Sequence, residues 1–544
     1  MNSAARRRGW LFYAAFAAAG LCLLPLGAVL IAAFLGDLST FSLLAETVLW
    51  RYTYTTLILV ACVAVGSAVI GTACAWLVTM CEFRFRRALE VALALPFAFP
   101  AYVLAYAYTD VLDHPGIVQT MLREITGWGP RDYWFPEIRS VGGAALMLTL
   151  VLYPYVYLLA RAAFLQQSAT AFLAARSLGR GPWSAFTSTS LPLARPAIVG
   201  GMLLAIMETL ADFGTVAFFA VQTFATGIYL SWISFADRPA AAQLALCLLF
   251  FALLLALIER AHRGAARHHG AGKRQEGMAR MELTGGKQVA AITACALPVF
   301  LGFALPVVIL FTMAFGSEQN LLSARYLLFI QNSLTLSSVA ALTTVLAAIL
   351  IAANHRLRPS PGSAAAGHLA RIGYAVPGGV IAVGLMVPFA ALDNRIDAFF
   401  EANFGIDTGL LITGSMWLLV AAYTVRFMAA ALNTYESALT SLNPAMDAVA
   451  RTLGNGPMRL LSRVHLRILW PSVLTAALIV FVDVMKELPA TLILRPFNFD
   501  TLAVQAHRLA ADERLEGAAV PSLVIVAVGL LPVILVCRAL GRRT

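Results

Sequence analysis

Charge is what this sequence has least of. Only 12% of its 544 residues are Asp, Glu, Lys or Arg, against 60% hydrophobic residues, and soluble domains carry roughly twice that charged share. A water-soluble core cannot absorb so much apolar surface, so lipid must solvate most of the chain. Cysteine offers no framework either. The seven (Cys22, Cys62, Cys74, Cys81, Cys247, Cys295 and Cys537) lie almost all inside apolar runs and form no CxxC pair. Neither a disulfide scaffold nor a zinc site is suggested, and they read as small buried apolar residues. The phosphate-binding pattern GxxxxGK[ST] is missing. Gly272-Lys273 and Gly286-Lys287 lack both the upstream Gly and a following Ser or Thr. No nucleophile–base pair and no metal constellation stands out, which leaves a membrane enzyme without its chemistry.

Basic residues are in excess, for a net charge of +11. They sit in short gaps between long apolar runs, the positive-inside pattern of a membrane protein rather than a nucleic-acid surface, so no nucleic-acid partner is expected. A spanning helix needs about 20 apolar residues. The runs predict about twelve transmembrane helices, near 10–35, 53–80, 88–112, 141–165, 193–221 and 239–259, then 289–315, 332–354, 368–392, 409–432, 472–494 and 518–538. Arg6 to Arg8, Arg84 to Arg87, Arg161 to Arg195, Arg260 to Lys287, Arg356 to Arg371 and Arg538 to Arg543 occupy alternate gaps. Those gaps face the cytoplasm on this rule, and both termini with them. The run from Trp10 to Leu35 is too long for a signal peptide and reads as the first span.

The chain repeats itself. Ala175 to Pro182 (ARSLGRGP) matches Ala450 to Pro457 (ARTLGNGP) at an offset of 275. In the same register Pro196 meets Pro471, Glu208 meets Asp483, Asp212 meets Glu487, Phe224 meets Phe499 and Asp237 meets Asp512. No gap interrupts about sixty residues. This reads as an all-α polytopic membrane protein of two tandem six-helix repeats. The first repeat is 1–260 with a cytoplasmic loop at about 167–192. A basic, Gly-rich connector follows at 261–288, and the second repeat is 289–544 with its loop at about 440–467. Two parallel copies would flank a pathway between them.

Each of the two loops has a short helix, a Gly positioned to stop it with φ > 0, and a second short helix ending at Pro192 or near Arg467. They resemble the EAA loop of binding-protein-dependent ABC importer permeases, whose pattern is Glu-Ala-Ala, three residues, Gly, then Leu-Pro. Here the copies read Leu173-Ala174-Ala175 with Gly179 and Leu191-Pro192, and Ala448-Val449-Ala450 with Gly454 and Leu466-Arg467. Both lack the Glu, and the second lacks the Leu-Pro. Met207 to Thr215, Met485 to Thr491 and Arg495 to Thr501 are similar to the fused, double-length ferric-iron permeases of that family, as is Leu95 to Asp110.

The resemblance implies a type I ABC importer permease, not itself an enzyme, in a bacterial inner membrane. Its coupling loops (Ala174, Ala175, Gly179, Gly181, Pro192, Ala450, Gly454, Gly456) would grip two copies of a cytoplasmic ABC ATPase. A periplasmic substrate-binding protein would deliver ferric iron, which would cross by alternating access. No cofactor is bound by the chain itself on this reading, and ATP is used by the partner. Thiamine, a polyamine or sulfate on the same fold is the alternative cargo. An ion-coupled secondary transporter is the alternative class. The outer segments Asp132 to Glu137 and Arg495 to Thr501 are candidates for receiving the binding protein, or interfacial anchors.

Acids inside apolar runs need a reason, because each costs a few kcal/mol or more in lipid. Glu208 and Asp212 share one helix face, as do Asp483 and Glu487. Two readings stand. The four line the cargo pathway with Tyr102 and Tyr106, giving a hard cation transient oxygen ligands but no fixed metal site. Alternatively they pair with Lys486 or interhelical donors and hold the bundle together.

Overall fold

The computed structural model describes residues 10–35, 38–166, 177–179, 181–266, 280–317, 319 and 323–541. Within them eleven helices are long and apolar enough to cross a membrane. In chain order these are Trp10–Leu35, Phe41–Met80, Val141–Leu165, Trp183–Ala211, Arg238–Leu255, Gly285–Gly316, Ala324–Leu357, Gly378–Phe404, Met416–Thr440, Pro457–Met485 and Leu515–Ile534. The expected third span is broken. Arg86–Ala98 and Ala101–Thr126 meet at 93°, around Phe99-Pro100, where proline has no N–H to continue the helix. Counted as one span it brings the total to twelve, so the protein is an all-α polytopic membrane protein. Strand is confined, among the described residues, to a parallel pair joining Cys81–Glu82 to Met281–Glu282. This pair ties the end of the connector to the loop after the second span.

The described helices fall into two compact units. One is drawn from Val48–Thr226, Phe250–Gln319 and Ala506–Thr544. Its core is the trio Trp50–Met80, Val141–Gln166 and Leu191–Ala211. The backbones approach closely through small residues, as helices in lipid do. A Cβ on Gly71 would lie 2.7 Å from Val156 Cβ, and one on Gly201 would lie 2.6 Å from Val156 Cα. Gly286–Val299 packs on this trio and on the broken span, and Leu515–Gly541 on the broken span and on Leu305–Gly316.

The other unit is drawn from Met1–Thr47, Gly227–Leu249 and Asn320–Gln505. Its core trio is Ala324–Leu357, Met416–Thr440 and Leu466–Met485. Trp10–Leu35 packs along this unit, against Gly378–Phe404, where Gly384 meets the Pro25 backbone. Compact units therefore do not run parallel to the chain. The first span keeps company with helices beyond residue 320, and Gly286–Gly316 with helices before residue 226.

Candidate functional site

The two cytoplasmic loop signatures come first. In the second, Asn443 accepts a hydrogen bond from Ala445 N at 2.9 Å and starts the helix Pro444–Thr452. Gly454 then takes φ +76, and Gly179 at the matching position takes φ +82. Among the described residues nothing lies within 4 Å of a Cβ built on either. Backbone conformation, not space, makes both positions glycine. Gly181 and Gly456 are exposed and Ala450 is buried. Ala174 and Ala175 lie outside the described residues.

The second short helix of each loop differs from expectation. It does not end at Pro192 or Arg467 but runs on into the membrane span, continuous over Trp183–Ala211 and Pro457–Met485. A widened turn, Phe186–Ser190 or Leu461–His465, makes the join. Pro192 sits in the first turn after it, where its missing N–H is tolerated. Arg467 has an N–H at the same register and the turn is still widened, so the turn belongs to both loops rather than to the proline.

These loops present apolar side chains to solvent. Leu178 is 82% exposed and its counterpart Leu453 75%; Trp183 is 66% exposed and its counterpart Met458 52%. These four side chains thus hold exposed apolar positions at matching registers of the two loops.

Asp212, Glu487 and Asp483 have separate occupations. Asp212 ends the helix Leu191–Ala211 and caps the next, Gly214–Phe218. Its Oδ2 accepts from Thr215 N and Val216 N at 3.1 Å each, and Oδ1 from Thr215 Oγ1 at 3.0 Å. Glu487 does the same for Pro489–Leu494, accepting from Ala490 N at 3.1 Å, Thr491 N at 3.2 Å and Thr491 Oγ1 at 3.0 Å. A carboxylate there satisfies amide groups that a broken helix leaves without partners in lipid. Asp483 pairs with Lys486 at 3.0 Å. Glu208 is half-buried, one turn before Asp212.

Tyr102 and Tyr106 lie beside Asp212 in the same unit. Their rings are 5.6 Å apart, Tyr102 packs on Gly214, and the fully buried Tyr106 hydroxyl meets His507 Nδ1 at 3.1 Å. Tyr108 donates to Leu301 O at 2.7 Å. Among the described residues no three His, Cys, Asp or Glu side chains gather as metal ligands.

Four ionic groups were not singled out by sequence. Arg356 Nε donates to Asp447 Oδ2 at 2.7 Å, and His465 meets Asp447 Oδ1 at 2.8 Å. Burial works against charge on Asp447, yet the His465 and Arg356 bonds outweigh it and hold the carboxyl below its usual range. An ionised carboxylate only accepts, so the His465 Nε2 carries the proton. Arg161 pairs with Glu90, and Arg371 with Glu436. On the loops, Arg139 bridges Asp113 at 3.0 Å and Glu513 at 2.7 Å. All these partners are far apart in sequence, so no local spacing betrays them. One signal was present: Arg161 and Glu436, at the same register, carry opposite charges.

No family model matches the chain. Similarity to known proteins nonetheless extends along most of it. The Fe(3+)-transport system permease protein FbpB 2 of Haemophilus influenzae is 26% identical over 88% of each chain. The Ferric transport system permease protein FbpB of Actinobacillus pleuropneumoniae is 24% identical over 82% of this chain and 64% of its own length. The Molybdenum transport system permease protein ModB of Haemophilus influenzae is 27% identical, and 78% of it falls on 34% of this chain. That relative is therefore less than half as long, about the size of one repeat.

Proposed function

We propose that this chain, a double-length permease of the ABC-transporter class, is the membrane pathway of an importer for ferric iron. The observation that carries the proposal is similarity to a ferric permease over 88% of both chains, which takes in both loop signatures. The cargo named for the relatives is brought to this chain by that extent, where the molybdenum permease reaches only 34% of it.

The parts fit the role. A separate cytoplasmic ATPase subunit binds and hydrolyses ATP, two copies serving the two loops. The exposed pairs Leu178 and Leu453, Trp183 and Met458 are the surfaces they hold. The left-handed Gly454 sets the angle between the two short helices of the second loop, Gly179 takes the same conformation in the first, and Ala174 and Ala175 belong to the first docking surface. A periplasmic binding protein delivers the ion to the opposite face, in an inner membrane with both termini inside. Alternating access carries it through. Tyr102, Tyr106, Asp212 and Glu208 offer oxygen donors suited to a hard cation in one unit, with Asp483 and Glu487 in the other. Caps at Asp212 and Glu487 shape the broken helices beside the path, and no acid needs to hold iron permanently.

The test is the ligand of the cognate binding protein. Ferric iron bound to it, and its docking to vesicles containing this permease, are expected. A sugar or peptide there would overturn the cargo while leaving the importer.

A further inference from the structure

Among the described residues the two coupling loops show different fastenings. The first lies on an aromatic stack. Phe186 contacts Trp76, Trp183 and Phe164 at ring-centroid distances of 4.8, 5.4 and 6.2 Å. At matching positions of the second half stand Ile351, Met458, Leu461 and Leu439. There the fastening is ionic. Asp447, on the coupling helix Pro444–Thr452, binds Arg356 at the end of Ala324–Leu357 and the wholly buried His465 at the head of the next span. Arg356 Nη2 also donates to Leu442 O at 3.0 Å, just before that helix, and Arg451 Nη2 returns to Leu357 O at 3.2 Å. The residues matching Asp447, Arg356 and His465 in the first half are Phe172, Cys81 and Ser190.

We propose that Asp447, Arg356 and His465 are positioning residues that transmit the ATPase stroke from the second coupling helix to two membrane spans, by a route that the first half does not share. The proposal rests on the importer reading above. Charge-assisted bonds fix direction as well as contact. Arg356 grips the coupling helix by a side chain and by the Leu442 carbonyl, so rotation of that helix must turn the end of Ala324–Leu357 with it. His465 has one ring nitrogen on Asp447, and its Nδ1 has no hydrogen-bond partner among the described residues. Its ring is thus oriented by the carboxylate rather than by surrounding groups. Apolar replacement of a whole buried ion pair can leave folding intact, whereas removing one partner strands the other, so Asp447→Asn, which keeps an acceptor in the same shape, is the single change chosen to weaken alignment at the least cost to folding. The aromatic stack carries no charge, and Leu461 stands at the matching place in the second half, so Phe186→Leu is the control that leaves the ionic route untouched.

The experiment uses the whole importer, permease with its ATPase and binding protein, in proteoliposomes. Radioactive iron entry and phosphate release are read together. Wild-type ATP-dependent entry is the entrance condition; without it the importer reading fails, not this one. Asp447→Asn and His465→Gln should assemble with the ATPase, hydrolyse ATP within twofold of wild type, and import at least fivefold less iron per ATP. Asp447→Glu should recover most of the ratio, and Phe186→Leu should keep it within twofold. If a single variant fails to accumulate, the triple Arg356→Met, Asp447→Leu, His465→Leu is read in its place, since apolar replacement of a buried pair folds. A wild-type ratio in the neutral variants, or loss of ATPase binding in all of them, would overturn the proposal.

Discussion

Arg161 and Glu436 stand 275 residues apart, at one register of the repeat, with opposite charges, and each closes an ion pair. Arg161 binds Glu90 and Glu436 binds Arg371. The pairing survives in both halves while its sign is reversed. Burial differs: the Arg161 and Glu90 side chains are 4% and 13% exposed, the Arg371 and Glu436 side chains 30% and 26%. Arg161→Ala removes one of two guanidinium partners of the buried Glu90, Arg86 remaining at 3.0 Å, and should cost about 1.5–3 kcal/mol, the worth of a hydrogen bond to a charged group. Arg371→Ala should cost about 1 kcal/mol or less. Thermal unfolding of the purified variants in detergent checks the order.

The acid caps make a second prediction. Asp212→Ala and Glu487→Ala each remove the acceptor for two backbone amides and a hydroxyl. Each should destabilise by about 1–2 kcal/mol, and Asp212→Asn, which keeps an acceptor, by less. Equal losses for Asn and Ala at residue 212 would show that the cap is not what the side chain supplies.

Backbone conformation separates two neighbouring glycines. Gly454→Ala forces an L side chain to φ +76 and should cost about 1 kcal/mol. Gly456, at φ −69, should accept Ala with almost no loss. Gly179→Ala should behave like Gly454→Ala. Import and ATPase binding in the three single variants give the functional counterpart.

The depressed Asp447 carboxyl predicts a pH window. Its folded pKa lies below the unfolded value, which is about 3.9. Its contribution is therefore present above that value and lost as pH falls through the lower folded one. With His465 and Arg356 in place to depress this carboxyl, the stability difference between the wild type and Asp447→Asn should hold steady at neutral pH. It should shrink below about pH 4. Unfolding midpoints across pH read this directly.

Much of the fold was legible because lipid imposes a simple code. Apolar runs gave nearly every span, and Gly179 and Gly454 announced the turn in both loops. What stayed hidden depends on side chains meeting across long stretches. Asp447 and Arg356 are separated by 91 residues and Arg139 and Glu513 by 374, and no periodicity links such pairs. The break at Phe99-Pro100 was concealed by an unbroken apolar composition. Pro192 misled because a proline was read as a stop, whereas a first-turn proline fits a helix that has just been widened. The acids were read with a pathway and a structural role both open. The caps at Asp212 and Glu487 require a knowledge of where the helix restarts, and Gly214 and Pro489 were the residues that marked it.

The central claim is that ATP hydrolysis on a separate subunit drives ferric iron through this chain. Its most direct measurement is iron uptake into proteoliposomes that hold the permease and ATPase, with iron-loaded binding protein on the side opposite the ATPase. Uptake that requires ATP, stops with vanadate and vanishes without the binding protein is predicted. Uptake that proceeds without the ATPase and follows an imposed proton or sodium gradient would contradict it.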